Sequence, residues 1–62
     1  MLNLEFGAWE TIKVIFMNEK EIILKDIKKI KEDDSGYIHF IDLYGDELLT
    51  VNGSNMIGFM KQ

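Results

Sequence analysis

The chain contains no cysteine, no proline and no arginine among its 62 residues, and a single histidine, His39. Without cysteine there is no disulfide to restrict the unfolded state, and one histidine excludes a histidine-rich structural metal site. The missing arginine removes both the planar fork that grips phosphate and a frequent anchor of protein interfaces. Positive charge is scarce overall: seven lysines stand against eleven carboxylates, for a net charge of −4. That balance argues against general nucleic-acid binding, which normally needs a basic surface. The longest apolar run, Val14-Ile15-Phe16-Met17, falls far short of the ~20 residues a membrane span requires. No charged-then-apolar leader opens the chain. The expectation is a cytoplasmic protein with no membrane partner, and the absence of cysteine fits a reducing compartment.

What is present is a globular composition, 47% apolar and 29% charged. Residues 1–62 leave room for a single small β domain and no linker. For a chain this size, apolar burial contributes about 95 kcal/mol at roughly 25 cal/mol per Å², against about 93 kcal/mol of ordering entropy. The near cancellation means that stability must come from dense packing, self-association or a partner.

Leu2, Leu4 and Phe6 alternate with Asn3 and Glu5 as in a short half-buried strand, which Gly7 interrupts. Trp9 reads either as a packing anchor or as part of a binding surface. From Thr11 to Met17 the strand signal strengthens, with Ile12, Val14 and Phe16 on one face and Lys13, Ile15 and Met17 on the other. A strand apolar on both sides is either central to a small curled barrel or covered by another chain.

Residues 18–31 admit two readings. As a helix, Asn18 is the N-cap, Glu21 nearly completes a capping box, and Ile22, Ile23, Leu24, Ile27 and Ile30 share a broad arc. As a hairpin, Met17 to Glu21 is a turn and Ile22-Ile23-Leu24 begins a returning strand, which the β-branched residues favour. Lys31 to Gly36 follows as an acidic turn, and Tyr37 to Tyr44 as a strand. Gly45-Asp46 connects it to a strand over Glu47 to Val51. Asn52 to Asn55 is a turn in which Gly53 is expected at positive φ. Met56 to Met60 closes the chain, and Gly58 within it suggests close approach by another backbone or a bulky ring. The fold class is therefore all-β, a single antiparallel meander curled into a five-stranded, partly open barrel. The alternative is α+β with a helix at about 19–32.

Two stretches carry a family resemblance. Val51-Asn52-Gly53-Ser54-Asn55-Met56-Ile57-Gly58-Phe59 is similar to the second motif of Sm-like proteins, in which glycine and asparagine precede an apolar strand. Val14-Ile15-Phe16-Met17-Asn18-Glu19-Lys20-Glu21-Ile22 is similar to the strand–turn–strand opening of the first. The layout thus resembles small barrels of the Sm-like and Src-homology-like type, and the Sm likeness implies RNA binding as one reading. Asn52 stands where those proteins usually carry a basic residue, and Glu19 where a turn glycine is expected. The residues that hold a base in the first motif have no counterpart in Lys31 to Tyr37. The chain also resembles short β-rich proteins of Gram-positive bacteria and their phages or mobile elements.

No nucleophile–base pair, metal set or phosphate-cradling glycine loop can be assembled, so no enzyme, cofactor or metal is expected. His39 reads as a structural histidine, since Asp42 lies on the opposite strand face. Lys25, Lys28, Lys29 and Lys31 read as solubilising charge or as protection of an edge strand. The expected role is a non-catalytic binding or assembly module, a homo-oligomer or the ligand of another protein, using Trp9, Ile15, Met17, Phe59 and Met60. An alternative is an inhibitor of a host defence or nucleic-acid-handling protein, whose acidic surface comprises Glu32, Asp33, Asp34, Asp42, Asp46 and Glu47.

Overall fold

A computed structural model describes residues 1–62 as five antiparallel strands and one short 3₁₀ turn. The strands are β1 (Asn3–Phe16), β2 (Glu21–Glu32), β3 (Tyr37–Asp42), β4 (Glu47–Asn52) and β5 (Met56–Lys61), with the 3₁₀ turn at Gly53–Asn55. They form one sheet in the order β4-β3-β2-β1-β5, strongly curled into a half-barrel. Residues 18–31 are thus a turn and a returning strand, as their β-branched content favours, and no part of them is helical. No helix is long and apolar enough to cross a membrane.

A lone sheet can bury one face only by bending over itself. The bend is made where pairing slips. Glu5 stands opposite Lys29 and Glu10 opposite Ile27, so Phe6 to Trp9 bulge out against Lys28 alone. Gly7 therefore does not end a strand: it lies inside a β1 that runs on to Phe16. One step further along β2, Lys25 and Asp26 oppose Thr11, and Asp26 takes a left-handed φ of 61°. Lys28 is in turn unmatched on the β3 side. Bulges bend strands and increase their twist, and both long strands bend at the same level.

The loosened backbone is re-bonded. The Lys28 ammonium donates to the carbonyls of Phe6 and Gly7, and Leu43 N–H donates to the Asp26 carbonyl at 2.9 Å. This corrects the reading of the lysine run as edge protection, because β2 is the middle strand.

Inside the curl lie Ile12, Val14, Ile27, Ile30, Ile38 and Phe40, with Leu2, Phe6, Phe16, Ile22, Leu24, Leu49, Val51, Met56 and Phe59 packed around them. Phe59 meets Phe40 edge-on, ring centroids 5.7 Å apart, the geometry that aromatic quadrupoles favour. The accessible surface of 4105 Å² matches the roughly 4,100 Å² expected of a compact chain of this mass.

The three hairpin turns share one geometry. The first residue's N–H donates to the carbonyl four residues on, and its own carbonyl accepts from the N–H three residues on: Phe16 with Lys20 and Glu19, Asp33 with Tyr37 and Gly36, Asp42 with Asp46 and Gly45. The fourth position is left-handed each time, at φ 70° for Glu19, 85° for Gly36 and 86° for Gly45. Two turns supply glycine there and an aspartate whose Oδ1 accepts two further N–H bonds. The first has neither, only Asn18 Oδ1 accepting from Lys20 N–H.

Two other glycines differ from expectation. Gly53 is not at positive φ; its N–H donates to the Gly36 carbonyl, and a Cβ there would lie 3.1 Å from that oxygen. Gly58 has no atom of its own chain within 4 Å of where a Cβ would stand. The expected close neighbour is not supplied by this chain.

The left-handed conformation costs an L-residue about 1–2 kcal/mol that glycine avoids. Glu19→Gly is therefore expected to raise stability by about 1 kcal/mol in urea unfolding, and Gly36→Ala or Gly45→Ala to lower it by about as much. A neutral Glu19→Gly would contradict the shared-turn geometry.

Candidate functional site

Two features of the surface carry chemistry: an apolar outer face over β1 and β5, and a charged cluster on β3 and β4.

On the outer face, register places Lys13 between Ile23 of β2 and Met60 of β5, and Ile15 between Glu21 and Gly58. Ile15, Ile23 and Met60 thus surround Lys13, whose ammonium pairs with Glu21 at 3.6 Å. Met60 is 49% exposed, and Met17, 60% exposed, follows at the start of the first turn. Trp9 stands on the β1 bulge with 58% of its surface open, a surface residue and not a packing anchor. Phe59 points the other way, against Phe40 and the core, so it joins none of these. Sequence reading missed Ile23, Leu48 and Ile57, all exposed. Alternation alone cannot place Leu48 and Ile57, because each sits at a slip in register on an edge strand.

The charged cluster is built by the same pairing. His39 lies opposite Lys31 on β2 and Thr50 on β4. Its Nε2 faces Asp33 Oδ2 at 2.8 Å, and its Nδ1 faces Glu47 Oε1. Glu47 Oε1 also accepts from the Thr50 hydroxyl, which stands 3.4 Å from Nδ1. The ring's partners come from the preceding turn and the next strand, not from its own strand. Spacing along one strand could not reveal them.

Each partner shifts the others. Asp33 and then Glu47 hold the His39 imidazolium, raising its pKa above the ordinary 6.5. Asp33 is lowered from 3.8, first by His39 and then by the Tyr37 N–H. Glu47 is lowered from 4.5, first by the Thr50 hydroxyl and then by His39. The two carboxylates lie on opposite sides of one ring, and no group of three metal-ligating side chains converges anywhere. The surface has no pocket.

The acidic residues do not form one field. Asp33 and Asp34 lie at one end of β3, Asp42 and Asp46 at the other. Glu32 accepts from Leu2 N–H; Asp33 and Asp42 bond their own turns; Glu47 bonds His39 and Thr50.

Comparison with protein-family models, with curated proteins and with solved structures finds no match to this chain.

The linkage has a definite sign. A raised histidine pKa stabilises the fold fully below 6.5, and that contribution is lost as pH rises through the folded-state value. The lowered carboxylates contribute above 3.8 and 4.5, and that is lost as pH falls through their folded-state values. Melting temperature should therefore peak between pH 4.5 and 6.5. His39→Gln should flatten the alkaline side of that peak; an unchanged alkaline slope would show that the ring carries no such linkage.

Proposed function

We propose that this chain is a non-catalytic assembly module that binds a second copy of itself through its open sheet edges. One observation carries the reading. β4 and β5 end the sheet, and the whole stretch from Leu48 to Met60 contains no charged residue and no proline. Edge strands normally resist pairing through lysine, proline or cover. Here neither end strand has a strand partner on its outer side, in a chain that is 29% charged overall.

The ends of the stretch support a particular arrangement. Glu47 opens β4 and Lys61 closes β5. Antiparallel addition of β4 to β5 of a second copy brings these opposite charges together and aligns two strands of six residues. Such a contact is heterologous, joining different edges, and repeats into a ring where its rotation closes or a filament where it does not. Ile57 and Met60, both exposed, with half-buried Ile15 beside Gly58, supply apolar area along the seam.

Charge mimicry draws less support, since four of its six carboxylates are already bonded within the fold. An Sm-like RNA surface lacks the basic residue at Asn52.

Sedimentation velocity over a dilution series should show association at micromolar concentration. Placing lysine on each edge, Leu48→Lys with Met60→Lys, should weaken it at least about tenfold, as loss of an interface anchor does. Both side chains are exposed, so the monomer should keep its melting temperature. A wild-type chain that stays monomeric throughout would overturn the proposal.

A further inference from the structure

We infer that His39 is a proton-operated latch at edge strand β4: as an imidazolium it ties the Glu47 side chain to the β2–β3 turn and holds it fixed at the edge where Lys61 of a second copy would meet it, and when neutral it frees that side chain and weakens self-association. The link to assembly rests on the edge-pairing reading above; the latch itself does not.

The argument is one of donors and acceptors. Both ring nitrogens face carboxylate oxygens, Nε2 toward Asp33 and Nδ1 toward Glu47. An ionised carboxylate only accepts, and a neutral imidazole has a single N–H. Only the doubly protonated ring satisfies both contacts. After loss of a proton, one carboxylate must face a nitrogen lone pair.

Which contact fails is decided by what else holds each carboxylate. Asp33 Oδ1 accepts from Ser35 N–H at 2.9 Å and Tyr37 N–H at 3.0 Å, so the turn fixes it with or without the ring. Apart from the ring, Glu47 is held only by the Thr50 hydroxyl. That hydroxyl, 3.4 Å from Nδ1, can turn its proton to the newly bare nitrogen. The neutral ring therefore keeps its proton on Nε2 toward Asp33, and Glu47 swings free.

Other charges facing the ring come from β2. Lys31 stands directly across and helps hold Glu47 ionised, while Lys29 and Glu5 stand opposite each other one row further along. Strand β4 contributes Glu47 and Thr50, and the turn contributes Asp33. Deprotonation also returns the chain from −3 to its formal −4. A Glu47 side chain no longer fixed at the edge and greater mutual repulsion act in the same direction, against association as pH rises.

The test follows His39 ring protons and backbone amides by NMR between pH 5 and 9, in wild type and Glu47→Gln. In wild type the amides of Glu47 to Thr50 should move with the ring's own midpoint, above 6.5. A glutamine amide can donate to the bare Nδ1, so Glu47→Gln should lower the midpoint and abolish the coupled β4 movement. Amides of β4 that ignore the ring, or a midpoint unchanged by Glu47→Gln, would overturn the latch. Sedimentation at pH 6 and 8 then reads the coupling: association should weaken several-fold in wild type and clearly less in Glu47→Gln, where only the change in net charge remains. An oligomer indifferent to pH despite a titrating latch would overturn the coupling. A chain monomeric at both pH values would sink the assembly reading and leave the latch standing on its NMR evidence.

Discussion

One sheet has to bury one face with no second layer to close over it. Every particular of this fold follows from that constraint. Six side chains are fully or nearly buried, and they come from β1, β2 and β3 alone. They meet because β1 and β2 bend together, through the Phe6 to Trp9 bulge and the slip at Lys25 and Asp26. Before the bend β1 pairs with β2 alone, and past it with β2 on one side and β5 on the other. Each slip leaves carbonyls without strand partners, and unpaired backbone groups are costly when removed from water. Lys28 and Leu43 supply the missing donors. A lysine that looks like solvated charge in the sequence is thus part of how the sheet bends.

The same constraint leaves the half-barrel open. Curling brings the two edges toward each other, joined by the 3₁₀ turn at Gly53–Asn55, without pairing β4 to β5. Asn52 caps that turn, its Oδ1 accepting from both Ser54 N–H and the Ser54 hydroxyl. The stretch that resembles the second Sm motif falls on this junction. The glycine in it serves close approach to Gly36, not a left-handed backbone. Chemistry and seam then coincide, since the His39 cluster sits on β3 and β4 beside one open edge.

What could be read beforehand was whatever depends on alternation and turn chemistry. Ile12, Val14 and Phe16 lie on the inner face, as do Ile38 and Phe40, because period two holds wherever pairing is regular. Gly36 and Gly45 mark turns through a left-handed glycine, although the second turn already begins at Asp42, within the stretch that reads as strand to Tyr44. What stayed hidden depends on register between strands. The bulges around Trp9 and Asp26 leave no local signature, so β1 reads as two pieces and Trp9 as either packing or contact surface. Asp33 and Glu47 become neighbours of His39 only once β3 and β4 are aligned. The outward Phe59 expected for a contact surface failed for the same reason: its parity is set by pairing with Val14.

Whether the seam between β4 and β5 is truly free is decided most directly by amide hydrogen exchange across a dilution series. If those edges wait for a second copy, the outward amides of β4 and β5 exchange quickly when dilute and slow together as concentration rises. Protection that is already complete at the lowest concentration would mean the barrel closes within one chain. Rapid exchange at every concentration would mean that nothing of its own kind pairs there.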